Sequence, residues 1–194
     1  NLVYKNSDYI LAQSFKFKNI IKRKNKNTFL FYNPSDIKKF EKLRYFKGKY
    51  KKITFAGNIG KAQALENLII YAKYIKKNNL PIIFELIGEG SNKKNLINLV
   101  KKYNLNKIII FRDFMETNKL TKYLRSSNGL LVCLNKGEAI SSTLPAKFQT
   151  YIAYGKPIFT FKGNIVSNLI NKHKIGFTLA ENNFKDVIKR FLKM

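Results

Sequence analysis

The 194-residue chain is poor in several residue types: it has one cysteine, one histidine, no tryptophan, four prolines and eleven acidic residues. Each scarcity excludes something. With Cys133 alone, inside the apolar run GLLVCLN, there is no disulfide framework; a reducing, cytoplasmic setting is expected, with the thiol buried in a strand. His173 in NLINKHKIG reads as a surface residue, and no cluster of His, Cys and Asp suggests a metal site, so none is expected. Four prolines and ten glycines leave no low-complexity linker, and no internal repeat is visible. No apolar run approaches the ~20 residues that span a bilayer, and NLVYKNSDYI lacks the order of a signal peptide. The expectation is a chain that is soluble or peripheral to a membrane.

The shortage of acid leaves an excess of base. Thirty-eight Lys and Arg give a formal net charge of +27, which attracts nucleic acid, anionic lipid or phosphorylated substrates over long range. Arginine occurs only at 23, 44, 112, 125 and 190; the rest is lysine, scattered over nearly every polar helix face beside abundant Asn and Ile. That pattern reads as a residue bias as much as a binding surface. A content of 45% hydrophobic and 14% aromatic residues is enough for a full core, hence one complete domain and part of another.

Periodicity predicts strict alternation. Strands are expected at KKITFAG, IIFELIG (82–88), KIIIF (107–111), GLLVCLN (129–135), PIFTFK (157–162) and GFTLA (176–180). Helices are expected over Ala62 to Lys77, through Leu96 to Tyr103, through Leu120 to Leu124, over Pro145 to Tyr154, near Ile165 to Ile170 and in a basic final segment. Strands so continuously apolar are covered on both faces, and the alternation implies parallel crossovers. The fold class is α/β: a Rossmann-like doubly wound parallel sheet, with the remnant of a preceding α/β domain. SDYILAQ, Phe17 to Arg23 and NTFLFYN supply a short strand, helix and strand of that remnant. The expected division is 1–36 as the tail of an N-terminal domain, 37–50 as linker and 51–194 as the complete domain.

In such a sheet ligands bind beyond the carboxyl ends of the strands. Three loops on that rim have unusual composition. GNIGKAQ offers Gly57 and Gly60 for a turn or close approach, neutral donors at Asn58 and Gln63, and then the positive end of a helix. Gly88, Glu89 and Gly90 directly follow a strand. Glu138 to Pro157, EAISSTLPAKFQTYIAYGKP, sets the hydroxyls of Ser141, Ser142 and Thr143 before a helix that Ser142 or Thr143 can cap and Gly155 can end. Lys147 and Thr150 share a helix face, with Tyr151 one turn from Lys147. These are parts of a diphosphate and sugar site, although a strand-to-helix turn needs glycine for its geometry alone.

The order and spacing of the three loops resemble the C-terminal, nucleotide-sugar-binding half of a GT-B glycosyltransferase of family 4. The marks are a glycine turn after the first strand, G-E-G after the next, and KFQTYIAYGKPI, which is similar to the family's E-A-x-A-x-G-x-P-V helix. SDYILAQS followed by FYNPSD resembles the end of the family's N-terminal domain. The family's Arg and Lys contacts to the donor diphosphate fall here at Asn58 and Gln63, and its paired glutamates at Ser142 and Thr150. GNIGxAQ with STLPAKFQTYIAYGKP is similar to a branch of bacterial O-antigen and capsule transferases, including N-acetylfucosamine transferases, in which Lys147 would supply the positive charge.

The resemblance implies retaining transfer of a sugar from a nucleotide diphosphate, with uridine the favoured base, to a lipid-linked or polysaccharide acceptor. No metal or other cofactor is implied, and the catalytic residues remain unassigned beyond Lys147 as stabiliser of the leaving diphosphate. The implied donor site comprises Gly57, Asn58, Gly60, Gln63, Gly88, Glu89, Gly90, Glu138, Ser141, Ser142, Thr143, Lys147 and Thr150. Peripheral contact with an anionic inner membrane is a further expectation. With the family's N-terminal half nearly absent and its last helices missing after Met194, the chain is expected to bind donor but turn over poorly or not at all. Two rivals are a basic nucleic-acid-binding module and a GT-B-like sugar-nucleotide epimerase. Against nucleic acid, Phe55, Phe84, Phe111 and Phe159 fall in predicted buried strands rather than along an exposed basic stripe.

Overall fold

The apolar strands assemble into one six-stranded parallel sheet. The computed structural model describes residues 2–32, 48–135 and 144–194. After a single helical turn α1 (Leu2–Lys5), β1 (Ile10–Ala12) and β2 (Thr28–Leu30) pair in parallel around α2 (Phe15–Lys22), whose Ser14 cap accepts a hydrogen bond from the Phe17 N–H. The main unit then runs β3 (Lys51–Ala56), α3 (Leu68–Lys77), β4 (Ile82–Ile87), α4 (Lys93–Lys102), β5 (Ile109–Arg112), α5 (Thr117–Ser126), β6 (Gly129–Leu131), α6 (Ala146–Ile152), β7 (Ile158–Phe161), α7 (Ile165–His173), β8 (Gly176–Leu179) and α8 (Phe184–Lys193).

The sheet order is β5-β4-β3-β6-β7-β8, so the chain starts in the middle, works outward to one edge, and returns to build the other. That order puts a switch point between β3 and β6, where neighbouring strands send their following helices to opposite faces and leave a crevice at their carboxyl ends. Burial on both faces explains why the strands read as unbroken apolar runs. Ile53, Phe55, Phe84 and Leu86 pack against α3, α4 and α8, and Ala56, Ile87, Leu130 and Val132 pack against α5, α6 and α7. α8 closes the first layer with Phe184, Val187, Ile188 and Phe191, and its Phe191 ring meets Phe159 edge-on at 4.9 Å.

Three local expectations are corrected. The helix expected from Ala62 begins only at Leu68: residues 61–63 and 65–67 form separate 3-10 turns joined by Ala64 in the left-handed region (φ 46°), a break that helical spacing of Leu65, Leu68 and Ile69 conceals. The strand expected over 129–135 is confined to Gly129–Leu131; the Val132 N–H still donates to the Phe159 carbonyl at 2.8 Å, and Val132 and Cys133 stay buried past the strand. The residue at the start of α6 is Pro145, in extended conformation and without a side-chain cap; Ser142 and Thr143 lie outside the described residues. Gly155 ends that segment at φ 62°, as expected. His173 closes α7 and is exposed.

Candidate functional site

The site is built where three strand ends bring backbone into contact with backbone. Gly57 follows β3 at φ +136° and Gly88 follows β4 at φ +129°, conformations that favour glycine. A side chain at Gly88 would put its Cβ 2.3 Å from the Gly57 carbonyl oxygen, and one at Gly90 would come within 2.5 Å of Ile59. The two turns are therefore stacked on each other. Hydrogen bonds hold them there: Gly57 N–H donates to the Ile87 carbonyl (2.9 Å), Ile59 N–H to Glu89 (2.7 Å) and Asn92 N–H to Ile59 (3.0 Å).

Lys147 approaches this stack from α6. An Ala56 N–H to Tyr151 hydroxyl hydrogen bond of 3.0 Å pins the helix to the end of β3, and Lys147, one turn earlier, is thereby laid over Gly57. A Cβ at Gly57 would lie 2.7 Å from the Lys147 ammonium nitrogen, which sits 3.6 Å from the centroid of the Phe55 ring. Burial lowers the Lys147 pKa to about 8. Burial also raises the neighbouring Cys133 thiol, so it stays neutral and provides no counter-charge. Among the described residues no carboxylate pairs with Lys147. The result is a cation held over a glycine turn by a ring face, at the mouth of the crevice.

Beside it a cavity of about 440 Å³ opens at the ends of β3, β4 and β5. Its floor is the backbone of Gly57, Asn58, Gly88, Glu89 and Gly90, and its far wall is Phe114, Met115 and Leu120. Phe114 is 75% exposed, an uncovered ring facing a slot with a glycine floor. This shape suits a flat group.

The structure brings together Gly57, Asn58, Gly88, Glu89, Gly90 and Lys147 from the expected set. Gly60 and Gln63 stand behind them: Gly60 is buried, and its N–H donates to the Gln63 side-chain oxygen at 3.1 Å, so that oxygen braces the loop rather than facing the cavity. Asn58 is wedged between Gly60 and Gly90, with its amide nitrogen 2.9 Å and its oxygen 2.6 Å from the Cβ positions those residues lack. The expected helix end after this loop is absent, since α3 begins eleven residues past Gly57. Thr150 donates its hydroxyl to the Ala146 carbonyl at 3.2 Å within its own helix. Glu89 is exposed and paired with Lys93 at 2.5 Å. Glu138, Ser141, Ser142 and Thr143 lie outside the described residues. Phe114 and Met115 escaped the sequence reading, although a phenylalanine set among Asp113, Glu116 and Thr117 just past a strand was a usable signal.

Among the described residues, no group of three or more His, Cys, Asp and Glu could hold a metal ion, and no helix is long and apolar enough to cross a membrane. The family model for glycosyl transferases group 1 matches residues 35–194. The chain is 30% identical over 105 residues to the putative colanic acid biosynthesis glycosyl transferase WcaI of Escherichia coli, covering 54% of this chain and 25% of that protein. It is 29% identical over 153 residues to an uncharacterized glycosyltransferase of Methanocaldococcus jannaschii, covering 74% and 39% respectively. The chain thus spans well under half the length of these relatives. The S. aureus TarM mutant solved with fondaparinux, alpha-GlcNAc-glycerol and UDP superposes with a TM-score of 0.70 at 17% identity, over 99% of this chain and 38% of that one, a likeness of fold.

Proposed function

The chain belongs to the glycosyl transferases group 1, and from that premise we propose that it is the donor-binding part of a retaining glycosyltransferase using a nucleotide-diphosphate sugar, with UDP as the nucleotide. One observation carries the reading: the Lys147 ammonium lies over the Gly57 turn, where any side chain would collide with it. A diphosphate seated there lies between the glycine turn below and a cation above. When the bond from the sugar to the diphosphate breaks, the electron pair leaves with the phosphate oxygen, and a charge preorganised at that oxygen stabilises the departure without a metal. The neighbouring cavity under Phe114 takes the base. Asn58, Gly60, Gln63 and Thr150 shape or border the site, and Glu138 with Ser141, Ser142 and Thr143 completes it toward the sugar.

UDP in the TarM complex and the colanic acid assignment of the WcaI relative support the donor class and an acceptor in glycan assembly, lipid-linked or polysaccharide. The +27 charge supports a peripheral position on an anionic cytoplasmic membrane face, near such an acceptor. In this reading residues 1–36 and 37–50 are the end of an acceptor-side domain and its linker.

Calorimetric titration with UDP is the test. Binding is expected for the unaltered chain and should weaken roughly thirtyfold in Lys147→Ala, the size of about 2 kcal/mol for a lost charge-assisted hydrogen bond. Silence with UDP, together with firm binding of a DNA oligonucleotide at moderate salt, would replace this reading with one driven by charge alone.

A further inference from the structure

The second layer of the sheet contains a charge that the donor reading leaves unused. Glu85 lies in the middle of β4, fully buried in a run of isoleucine, phenylalanine and leucine. Its Oε1 accepts two hydrogen bonds from Arg112, at 3.0 Å from Nε and 2.7 Å from Nη2. Arg112 is the last residue of β5, where strand pairing sets it beside Ile87. Its guanidinium also lies 5.4 Å from the centroid of the Tyr123 ring on α5, and the Gly88 N–H donates to its carbonyl at 3.2 Å. The Glu85 Oε2 and the Tyr123 hydroxyl are both buried outside good hydrogen-bond geometry, although the hydroxyl still interacts with Glu85 and Arg112. A buried carboxylate with one oxygen so poorly partnered is costly, and apolar residues would fill the same space at less cost to stability.

What the ion pair does hold is the entry to the loop at 113–116. That loop leaves β5 directly from Arg112 and supplies Phe114 and Met115 to the cavity wall; α5, against which Arg112 stacks, supplies Leu120. Lys93 ties the outer side of the same corner, bonding Glu89 at 2.5 Å and standing 3.9 Å from Asp113. The glycine floor and the aromatic wall are thus linked through Arg112 at one contact and Lys93 at another.

We infer that Glu85 and Arg112 are positioning residues which, through the β5 exit, fix the Phe114 wall at the spacing from the Gly88 turn that a nucleobase requires. The inference rests on the donor reading, and concerns only its base half. The phosphate half, Lys147 over Gly57, is built from α6 and β3 and shares no side chain with the pair.

That separation supplies the test. Kd values for UDP and for inorganic pyrophosphate are measured by calorimetry for the unaltered chain, Glu85→Gln, Arg112→Met, the double variant and Phe114→Ala. Thermal melting of each is recorded alongside, so that all titrations are run well below the transition. The expected result is a UDP affinity reduced about tenfold in the pair variants and in Phe114→Ala, with pyrophosphate affinity unchanged. The double variant, which leaves no buried lone charge, should melt higher than Arg112→Met while binding UDP no better. UDP and pyrophosphate weakening together would reduce the pair to a structural role and overturn the inference. UDP affinity intact in both Glu85→Gln and the double variant would overturn it too. If the unaltered chain binds pyrophosphate but prefers UDP no more than pyrophosphate, the base half fails while the phosphate site stands. If it binds neither, the donor reading itself fails.

Discussion

Two lysines nine residues apart face opposite ends of the sheet. Lys147 stands at the carboxyl ends of the strands and Lys156 near their amino ends, and burial lowers both to about 8. Lys156 lies in a cleft of about 390 Å³ with Lys174 and Arg190, and is only 4% exposed. By charge and burial the Lys156 rim looks the more prepared for an anion. The difference lies in the backbone opposite each lysine. Lys147 covers a turn at φ +136° stacked on another at φ +129°, at a topological switch point. The glycine on the Lys156 side, Gly176, serves packing instead: its missing Cβ would sit 1.9 Å from the Ile158 carbonyl oxygen in the neighbouring strand. A depressed lysine is therefore no mark of a site by itself, and the proposal for Lys147 rests on the turn beneath it.

The largest effect expected from this contrast is at the glycines. Gly176→Ala should cost roughly 3 kcal/mol or more in urea denaturation, because two strands must separate to admit a methyl group, yet leave the UDP affinity of the folded protein unchanged. Gly57→Ala should cost less, on the order of 1–3 kcal/mol from backbone strain, since the clash is with the mobile end of Lys147; it should nevertheless abolish measurable UDP binding. Loss of binding in Gly176→Ala, or its retention in Gly57→Ala, would erase the distinction between the rims. Next in size is the pair of lysine variants. Lys156→Met should bind UDP like the unaltered chain, against the thirtyfold loss in Lys147→Ala, and equal losses would point to general electrostatic attraction rather than a local clamp.

How much of this was legible in the chain follows from how local each feature is. The alternation of apolar runs with helical spacing was enough for the doubly wound sheet, because burial on both faces shows in each strand separately. The glycine turns were legible through spacing along the chain: Gly57, Asn58, Gly88, Glu89 and Gly90 share one cavity, while Gly60 and Gln63 stand behind it. What could not be read was set by contacts between strands. Arg112 reaches Glu85 only because β4 and β5 pair in register, Glu85 opposite Ile110, across 27 residues of sequence. The one hint was a glutamate inside IIFELIG. The late start of α3 was hidden for the opposite reason: Ala64 has a left-handed backbone without being glycine or asparagine, the residues that usually announce one.

The smallest and sharpest effect is the pH dependence of UDP binding. In the free protein burial lowers the Lys147 pKa to about 8. Phosphate oxygens at the same place favour the ammonium, so binding raises that pKa and takes up a proton where the lysine was neutral. The affinity should therefore be nearly flat between about pH 6.5 and 7.5, where UDP has lost its last phosphate proton and Lys147 keeps its own, and fall by up to tenfold per pH unit above about pH 8, until the raised value in the complex is reached. Lys147→Ala should remove this slope, and Lys156→Met should keep it, although the two lysines share a free-state value. Titrations in buffers of different ionisation enthalpy count the protons directly. Uptake near pH 8.5 that persists in Lys147→Ala but vanishes in Lys156→Met would transfer the phosphate contact to the other rim, and with it the reading of which lysine the fold holds for a ligand.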